Sequence, residues 1–128
     1  MTRNLARVLL GLPGFFILAT GVVFVLNPAA ASAKLLLTAD SAEALSNLRG
    51  MMGAPLVAVG GTLVLGAITA KLEYARPAAI FLLTLIGARI LSFFVDGPNP
   101  SLVLYLVVPS IAFGLMVAGH VLLDRSNA

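Results

Sequence analysis

Four long apolar stretches dominate this chain of 128 residues and limit what it can fold into. They cover residues 8–26, 51–70, 78–95 and 102–123. A helix needs about 20 apolar residues to cross a hydrocarbon core of ~30 Å, so each stretch can span a membrane. In lipid every backbone N–H and C=O must be bonded within its own element, and the alternating pattern of a barrel strand is absent. The sequence therefore predicts an all-α fold, an integral membrane four-helix bundle that forms one domain over residues 1–128.

The composition agrees with lipid as the main solvent. Hydrophobic residues make up 60% of the chain and charged residues 10%, whereas a soluble domain has roughly 45–50% and about 25%. The lack of cysteine excludes a disulfide framework, a thiolate nucleophile and a cysteine-ligated metal. The net charge is +3, but the basic residues are scattered singly and do not form a stripe that would follow phosphates. The predicted partner is the lipid bilayer, with no nucleic acid, no metal and no cofactor.

The distribution of basic residues predicts the orientation, because short cytoplasmic loops carry an excess of Lys and Arg. One side of the membrane would carry Arg3, Arg7, Lys71, Arg76 and Arg125, and the other side Lys34 and Arg49. Both termini are therefore predicted to be cytoplasmic. The first apolar stretch is longer than the roughly 7–15 residues of a signal-peptide core, so it is predicted to be a retained helix.

The only long connection, residues 27–49, lies on the opposite side. Its segment "AAASAKLLL" (29–37) is predicted to form a short interfacial helix with Lys34 reaching to the headgroups. Asp40, with Glu43 three positions later, has the form of an N-cap and its reciprocal partner. A helix that starts near Ser41 would continue into the second span. The stretch "DGPNP" (96–100) is predicted to be a turn.

Arg89 is a permanent charge inside the third apolar stretch. At 1.5 Å per residue it lies ~10 Å inward from the outer end of that helix, and Ser92 and Asp96 project from the same face. A central Arg costs about 2.5–3.5 kcal/mol on insertion scales, which the surrounding Leu, Ile, Phe and Val residues offset. Asp96, Glu43 and Asp40 are the predicted partners of the guanidinium.

The second apolar stretch adds another cation. Arg49, Gly53, Leu56 and Gly60 follow one helical face, and the glycines would let a helix or a ligand approach the backbone. Arg49, Gly53, Arg89, Ser92 and Asp96 are therefore predicted to line one ligand-binding pocket that opens to the outer side. Arg suits bidentate binding of a carboxylate or phosphate, so an anionic headgroup or acidic small molecule is the predicted guest. The alternative is a structural staple, in which Arg49 and Arg89 hold the outer helix ends together through Asp96 and Glu43.

Two further features of the fourth apolar stretch have simpler interpretations. His120 has no second histidine in the chain, which favours an interfacial histidine over a metal ligand. Ser110, Gly114 and Ala118 repeat at a spacing of four and predict a packing seam, with another helix or another subunit as its partner.

The order of motifs resembles that of a known family. A first helix ending in "LNP" is followed by "NLRGMMGAPLVAVGG" and then by "GARILSFFVDGPNP". The chain resembles a bacterial family of small four-helix membrane proteins known only as a domain of unknown function and distantly allied to the DoxX-like superfamily. The resemblance covers nearly the whole chain and rests on Arg49, Gly50, Gly53, Arg89 and Asp96-Gly97. It implies a four-helix bundle in the bacterial inner (cytoplasmic) membrane and no assigned activity.

Three functions are compatible with these features. The first is a protein that binds a lipophilic or anionic small molecule through the Arg/Asp pocket, or that serves as an accessory subunit of a larger membrane complex. The second is a small isomerase- or cyclase-type membrane enzyme acting on a lipid-like substrate, with Asp96 or Glu43 as the catalytic acid or base. The third is a transporter subunit, which would form a homo-oligomer so that the helices of several copies line a path for the substrate across the membrane.

Overall fold

The fold was examined in a computed structural model, which describes residues 2–97 and 100–127, without the side chains of residues 101, 102 and 105. It contains four helical segments long and apolar enough to cross a membrane, at Thr2–Leu26, Ala42–Thr69, Leu72–Asp96 and Leu106–Asn127. Each segment overlaps one of the four apolar stretches identified in the sequence, and the fourth begins four residues later than predicted. The predicted all-α membrane bundle is therefore confirmed, and the chain is a multi-pass membrane protein.

The described residues contain six α-helices and two short helical turns. The α-helices are α1 (Thr2–Leu26), α2 (Pro28–Lys34), α3 (Ala42–Leu48), α4 (Ala54–Thr69), α5 (Ala75–Asp96) and α6 (Pro100–Asn127). A π-helical turn, Arg49–Gly53, joins α3 to α4, and a 3₁₀ turn, Leu72–Tyr74, precedes α5. Within the predicted turn "DGPNP", Pro98 and Asn99 lie outside the described residues, but α5 ends and α6 begins on either side of them, as a turn requires.

The connection between the first two spans contains a short helix, α2, where the sequence predicts one; its interfacial position stays a prediction. It begins with Asn27 as N-cap, whose side chain accepts a hydrogen bond from the Ala30 N–H, and with Pro28 at its first position. It is shorter than the predicted 29–37, because Leu36 has a left-handed backbone with φ 59° and ends the helical run.

The prediction that Asp40 is the N-cap of α3 is wrong. The cap is Ser41, whose hydroxyl oxygen accepts a 3.1 Å hydrogen bond from the Ala44 N–H. Glu43 lies in the first turn of α3, where a negative charge meets the positive end of the helix dipole. The helix does start at the predicted position and continue toward the second span.

The π-helical turn is the local response to Pro55. Proline has no N–H, so the carbonyls of the preceding turn lose a donor at this point of the helix. The Ala54 N–H instead bonds to the Arg49 carbonyl, five residues back, which widens the helix for one turn. The wide turn places Arg49 and Gly53 against α1, as described below.

The α1–α4 pair is the closest helix contact in the bundle, and glycines make it so. A Cβ atom on Gly60 would lie 2.6 Å from the Leu18 Cα, and one on Gly21 would lie 2.6 Å from the Val57 backbone nitrogen. Both distances are shorter than any ordinary contact, so only glycine permits this approach. Glycine residues spaced by seven in each span form this antiparallel seam: Gly14 and Gly21 on α1, Gly53 at the end of the π-helical turn and Gly60 on α4.

Helix α6 packs against α1 in the same antiparallel sense. A Cβ on Gly119 would lie 2.9 Å from Leu10 Cγ, and Leu10 is fully buried. Ser110, Gly114 and Ala118 lie on an exposed face of α6, and no atom outside the helix lies within 4 Å of a Cβ built on Gly114. The predicted seam is thus open within the chain, and a second subunit as its partner stays a prediction.

Helix α5 is the least buried of the four spans. Only 11% of its most apolar stretch of 18 residues is buried inside the protein, against 28–33% of the corresponding stretches in the other three spans. Its buried residues, Ala75, Ala78 and Leu82, all come from the first eight positions. The core therefore lies toward the end of the bundle that holds the chain termini, and the second half of α5 is loosely packed.

The seam can be tested with two adjacent glycines of α4. Gly60→Ala is expected to lower the free energy of unfolding by about 1–3 kcal/mol, because the new methyl group forces α1 and α4 apart. Gly61→Ala is the matched control. No atom lies within 4 Å of its Cβ position, and the substitution is expected to be neutral or to stabilise by up to about 1 kcal/mol. Thermal unfolding in detergent, followed by circular dichroism, measures both; equal stability of the two variants would contradict the proposed close approach.

Candidate functional site

Arg49 caps the end of a neighbouring helix. Its Nε donates a 2.9 Å hydrogen bond to the carbonyl of Val25, in the last turn of α1. The last carbonyls of a helix lack partners within the helix and carry the negative end of its dipole, so a guanidinium is well suited to them. The structure thus gives Arg49 a backbone partner instead of the acidic residues predicted for it.

Arg7 forms the same contact at the other end of the pair. Its Nη2 donates a 2.7 Å hydrogen bond to the carbonyl of Ile68, in the last turn of α4. Each of the two antiparallel helices therefore contributes an arginine that caps the C-terminus of the other, and we call Arg7 and Arg49 the reciprocal arginine caps. The contact of Arg7 was not predicted from the sequence, because its partner is a backbone carbonyl, which no residue type marks.

Gly53 also belongs to the α1 contact. Its Cβ position lies 2.8 Å from a methyl group of Val25 and 3.3 Å from the Phe24 Cβ. The strip of Gly53, Leu56 and Gly60 that was predicted to admit a helix or a ligand is therefore occupied by α1. Arg49 and Gly53 thus both contact α1, and a ligand-binding role for them stays a prediction.

The other three predicted ligand-binding residues lie on one face of α5. Arg89 and Ser92 are half-buried and Asp96 is exposed. The Ser92 hydroxyl donates a 2.9 Å hydrogen bond to Asp96 Oδ2. Asp96 is the last residue of α5, where its charge meets the negative end of the helix dipole, so the serine hydroxyl offsets an unfavourable placement. We call Arg89, Ser92 and Asp96 the α5 polar face.

The predicted pocket therefore resolves into two sets of residues with different neighbours. Arg49 and Gly53 contact α1, whereas the principal contacts of α5 are with α6, α4 and the 3₁₀ turn. Glu43, the second catalytic candidate, is exposed on α3, whose principal contacts are with α2 and the π-helical turn. The five predicted residues are thus distributed between a packing contact and the α5 polar face.

Fold and site together define a small α-helical membrane protein with four spans and polar groups on one of them. The chain belongs to the family described as "Domain of unknown function (DUF4345)", which matches residues 5–120. The resemblance to a family known as a domain of unknown function is thereby confirmed, whereas the bacterial origin and the distant alliance with DoxX-like proteins stay predictions. No curated protein and no solved structure matches the chain.

The arginine cap on α1 predicts a stability effect. Arg49→Gln is expected to lower the free energy of unfolding by about 1 kcal/mol, because it removes a charged donor from the Val25 carbonyl. Arg3→Gln, at an exposed position in the first turn of α1, is the control and is expected to be neutral within about 0.5 kcal/mol. Chemical unfolding in mixed micelles measures both values. A neutral Arg49→Gln would rule out a contribution of the cap to stability.

Proposed function

We propose that the protein binds a lipophilic molecule with an acidic group at the α5 polar face. The observation that carries this proposal is the position of these groups on the loosely packed half of α5. No described residue of this helix after Leu82 is buried, so Arg89, Ser92 and Asp96 stand where a molecule dissolved in the membrane reaches them.

The cost of these groups in a membrane supports a binding role. Ionisable side chains at membrane depth are expensive, and those that occur usually serve a site. Arg89 lies about two turns, or ~10 Å, from the outer end of α5, within reach of the acyl-chain boundary. A planar guanidinium there binds a carboxylate or phosphate with two parallel hydrogen bonds.

The chemistry of the α5 polar face also limits the ligand. Arg89 supplies donors, while the Asp96 carboxylate supplies acceptors and already accepts a hydrogen bond from the Ser92 hydroxyl. A molecule with an acidic group for Arg89 and a hydroxyl or amine for Asp96 complements the face. Its apolar part would lie against exposed side chains of the same helix, such as Leu91 and Phe94. Binding is proposed here without a reaction.

The bacterial inner membrane is the proposed location, with both termini cytoplasmic. Five basic side chains lie at the end of the bundle that holds the termini, beside two acidic ones, Glu73 and Asp124. The opposite end has two basic side chains and three acidic ones, Asp40, Glu43 and Asp96. This asymmetry supports the orientation by the positive-inside rule.

The ligand proposal is tested with a matched pair of probes. Oleate and oleyl alcohol have the same chain, and only oleate carries a carboxylate. Delipidated protein is expected to bind oleate at least tenfold better than oleyl alcohol, measured by native mass spectrometry, because one charge-assisted contact is worth about 1.5–3 kcal/mol. Arg89→Gln is expected to abolish this preference, and Arg49→Gln is expected to retain it. Equal binding of both probes by the wild type, or an unchanged preference in Arg89→Gln, would contradict the proposal.

The orientation is tested with single cysteines, since the chain has none of its own. Thr38→Cys in the outer connection is expected to react with a membrane-impermeant maleimide in intact spheroplasts. Asn127→Cys is expected to react only after permeabilisation. Both positions are exposed, so accessibility within the protein is matched. The reverse pattern of labelling would overturn the proposed topology.

A further inference from the structure

A small cavity lies between α5 and α6, at the end of the bundle that holds the chain termini. Its volume is about 160 Å³, and its interior surface is apolar. It is lined by Ala75, Arg76, Ala79, Phe113, Met116, Val117 and His120. Its residues are separate from those of the α5 polar face, which lies at the opposite end of α5.

The size of the cavity limits what it can hold. Sites for whole drug-sized molecules are roughly 300–1,000 Å³, so this cavity encloses only part of a ligand. Val117, on its wall, is exposed, as is Arg76. The cavity therefore opens on the outer surface of the helix pair, where the neighbouring medium is lipid. A stretch of a single acyl chain fits these conditions, with the rest of the lipid in the bilayer.

Two polar residues mark the edge of this apolar cavity. Arg76 and His120 line it, yet no polar surface faces its interior, so both contribute their carbon atoms to the wall. Their polar atoms point away from the apolar interior, as snorkelling side chains do near a headgroup region. A guanidinium and an imidazole N–H are both donors to phosphate oxygens.

The excess of positive charge around the cavity favours a lipid with an anionic headgroup. Lys71 and Arg76 lie at the start of α5 and Arg125 at the end of α6, whereas Glu73 and Asp124 are the acidic side chains of this end. Basic groups outnumber acidic ones here, and Arg3 and Arg7 at the start of α1 add to the excess. Anionic lipid is attracted to such clusters next to a membrane span. The N-terminus of α5, with its partial positive charge, lies at the same level.

We propose that this cavity holds one acyl chain of an anionic phospholipid, with the lipid phosphate bound by Arg76 and His120. The site is a second one, independent of the ligand proposed for the α5 polar face. It takes a membrane lipid of the leaflet next to the chain termini and ties the start of α5 to the end of α6. This is the part of α5 that is packed into the core.

The experiment compares two lipids with identical acyl chains, phosphatidylglycerol and phosphatidylcholine, mixed in equal amounts with the purified full chain in neutral detergent micelles. Native mass spectrometry resolves the two adducts by mass. The wild type is expected to retain phosphatidylglycerol in preference. Arg76→Gln is expected to reduce the ratio of bound phosphatidylglycerol to phosphatidylcholine about fivefold, the value of one basic residue near an anionic surface. Arg49→Gln removes the same charge at the opposite end of the bundle and is expected to leave the ratio within about twofold.

A second pair of variants tests the cavity itself. Val117→Phe adds bulk on the cavity wall and is expected to lower retention of both lipids. Val121→Phe, one turn further along α6, is equally exposed and does not line the cavity, so it is expected to bind as the wild type does. Equal effects of Arg76→Gln and Arg49→Gln, or of the two phenylalanine variants, would overturn the proposal.

Discussion

The close approach of α1 and α4 is the constraint on which the rest of the bundle depends. Between helices in lipid no hydrophobic effect drives association, so contact has to come from van der Waals packing and hydrogen bonds. Gly14, Gly21, Gly53 and Gly60 remove the side chains that would keep the two backbones apart. The reciprocal arginine caps then fix the ends, each placing a cation on the carbonyls that a helix terminus leaves without partners. Helix α6 packs against α1 in this pair, and α5 packs against both α6 and α4.

Packing is uneven along the length of the bundle. The hydrophobic core includes Leu10, Leu63, Ala78, Leu82 and Met116, which all lie toward the end of the bundle that holds the chain termini. Helix α5 is anchored there through its first two turns, and its remaining length carries Arg89, Ser92 and Asp96 on a lightly packed surface. The bundle is therefore closely packed at the end that holds the termini and loosely packed along the second half of α5.

Much of the architecture could be predicted from the sequence. The four spans, the short helix after Asn27 and the helix starting near Ser41 follow from the length of the apolar stretches and from capping residues. The choice between Asp40 and Ser41 as N-cap could not be made, because both side chains are good caps and are adjacent. The partner of Arg49 was missed for a more general reason. It is a backbone carbonyl, which every residue has, so no residue type in the sequence marks it.

Which helix faces meet was also beyond the sequence. A membrane helix is apolar all round, so the periodicity that identifies the core side of a soluble helix is weak here. Glycine positions are the remaining signal, and they indicate close contact without naming the partner. The strip along Gly53 and Gly60 was therefore open to a ligand or a helix, and only the packing of α1 against it decides the matter. The residues of α5, in contrast, share a face through their own spacing and could be grouped in advance.

The π-helical turn before α4 has one more consequence. A hydrogen bond that spans five residues accommodates one residue more than an α-helical turn, and each residue in a helix corresponds to about 100° of rotation. The faces on which α3 presents its side chains are thus independent of the faces that α4 presents after the turn. The segment before the turn can change in length or rotate during evolution, while the glycine seam after it keeps its alignment with α1.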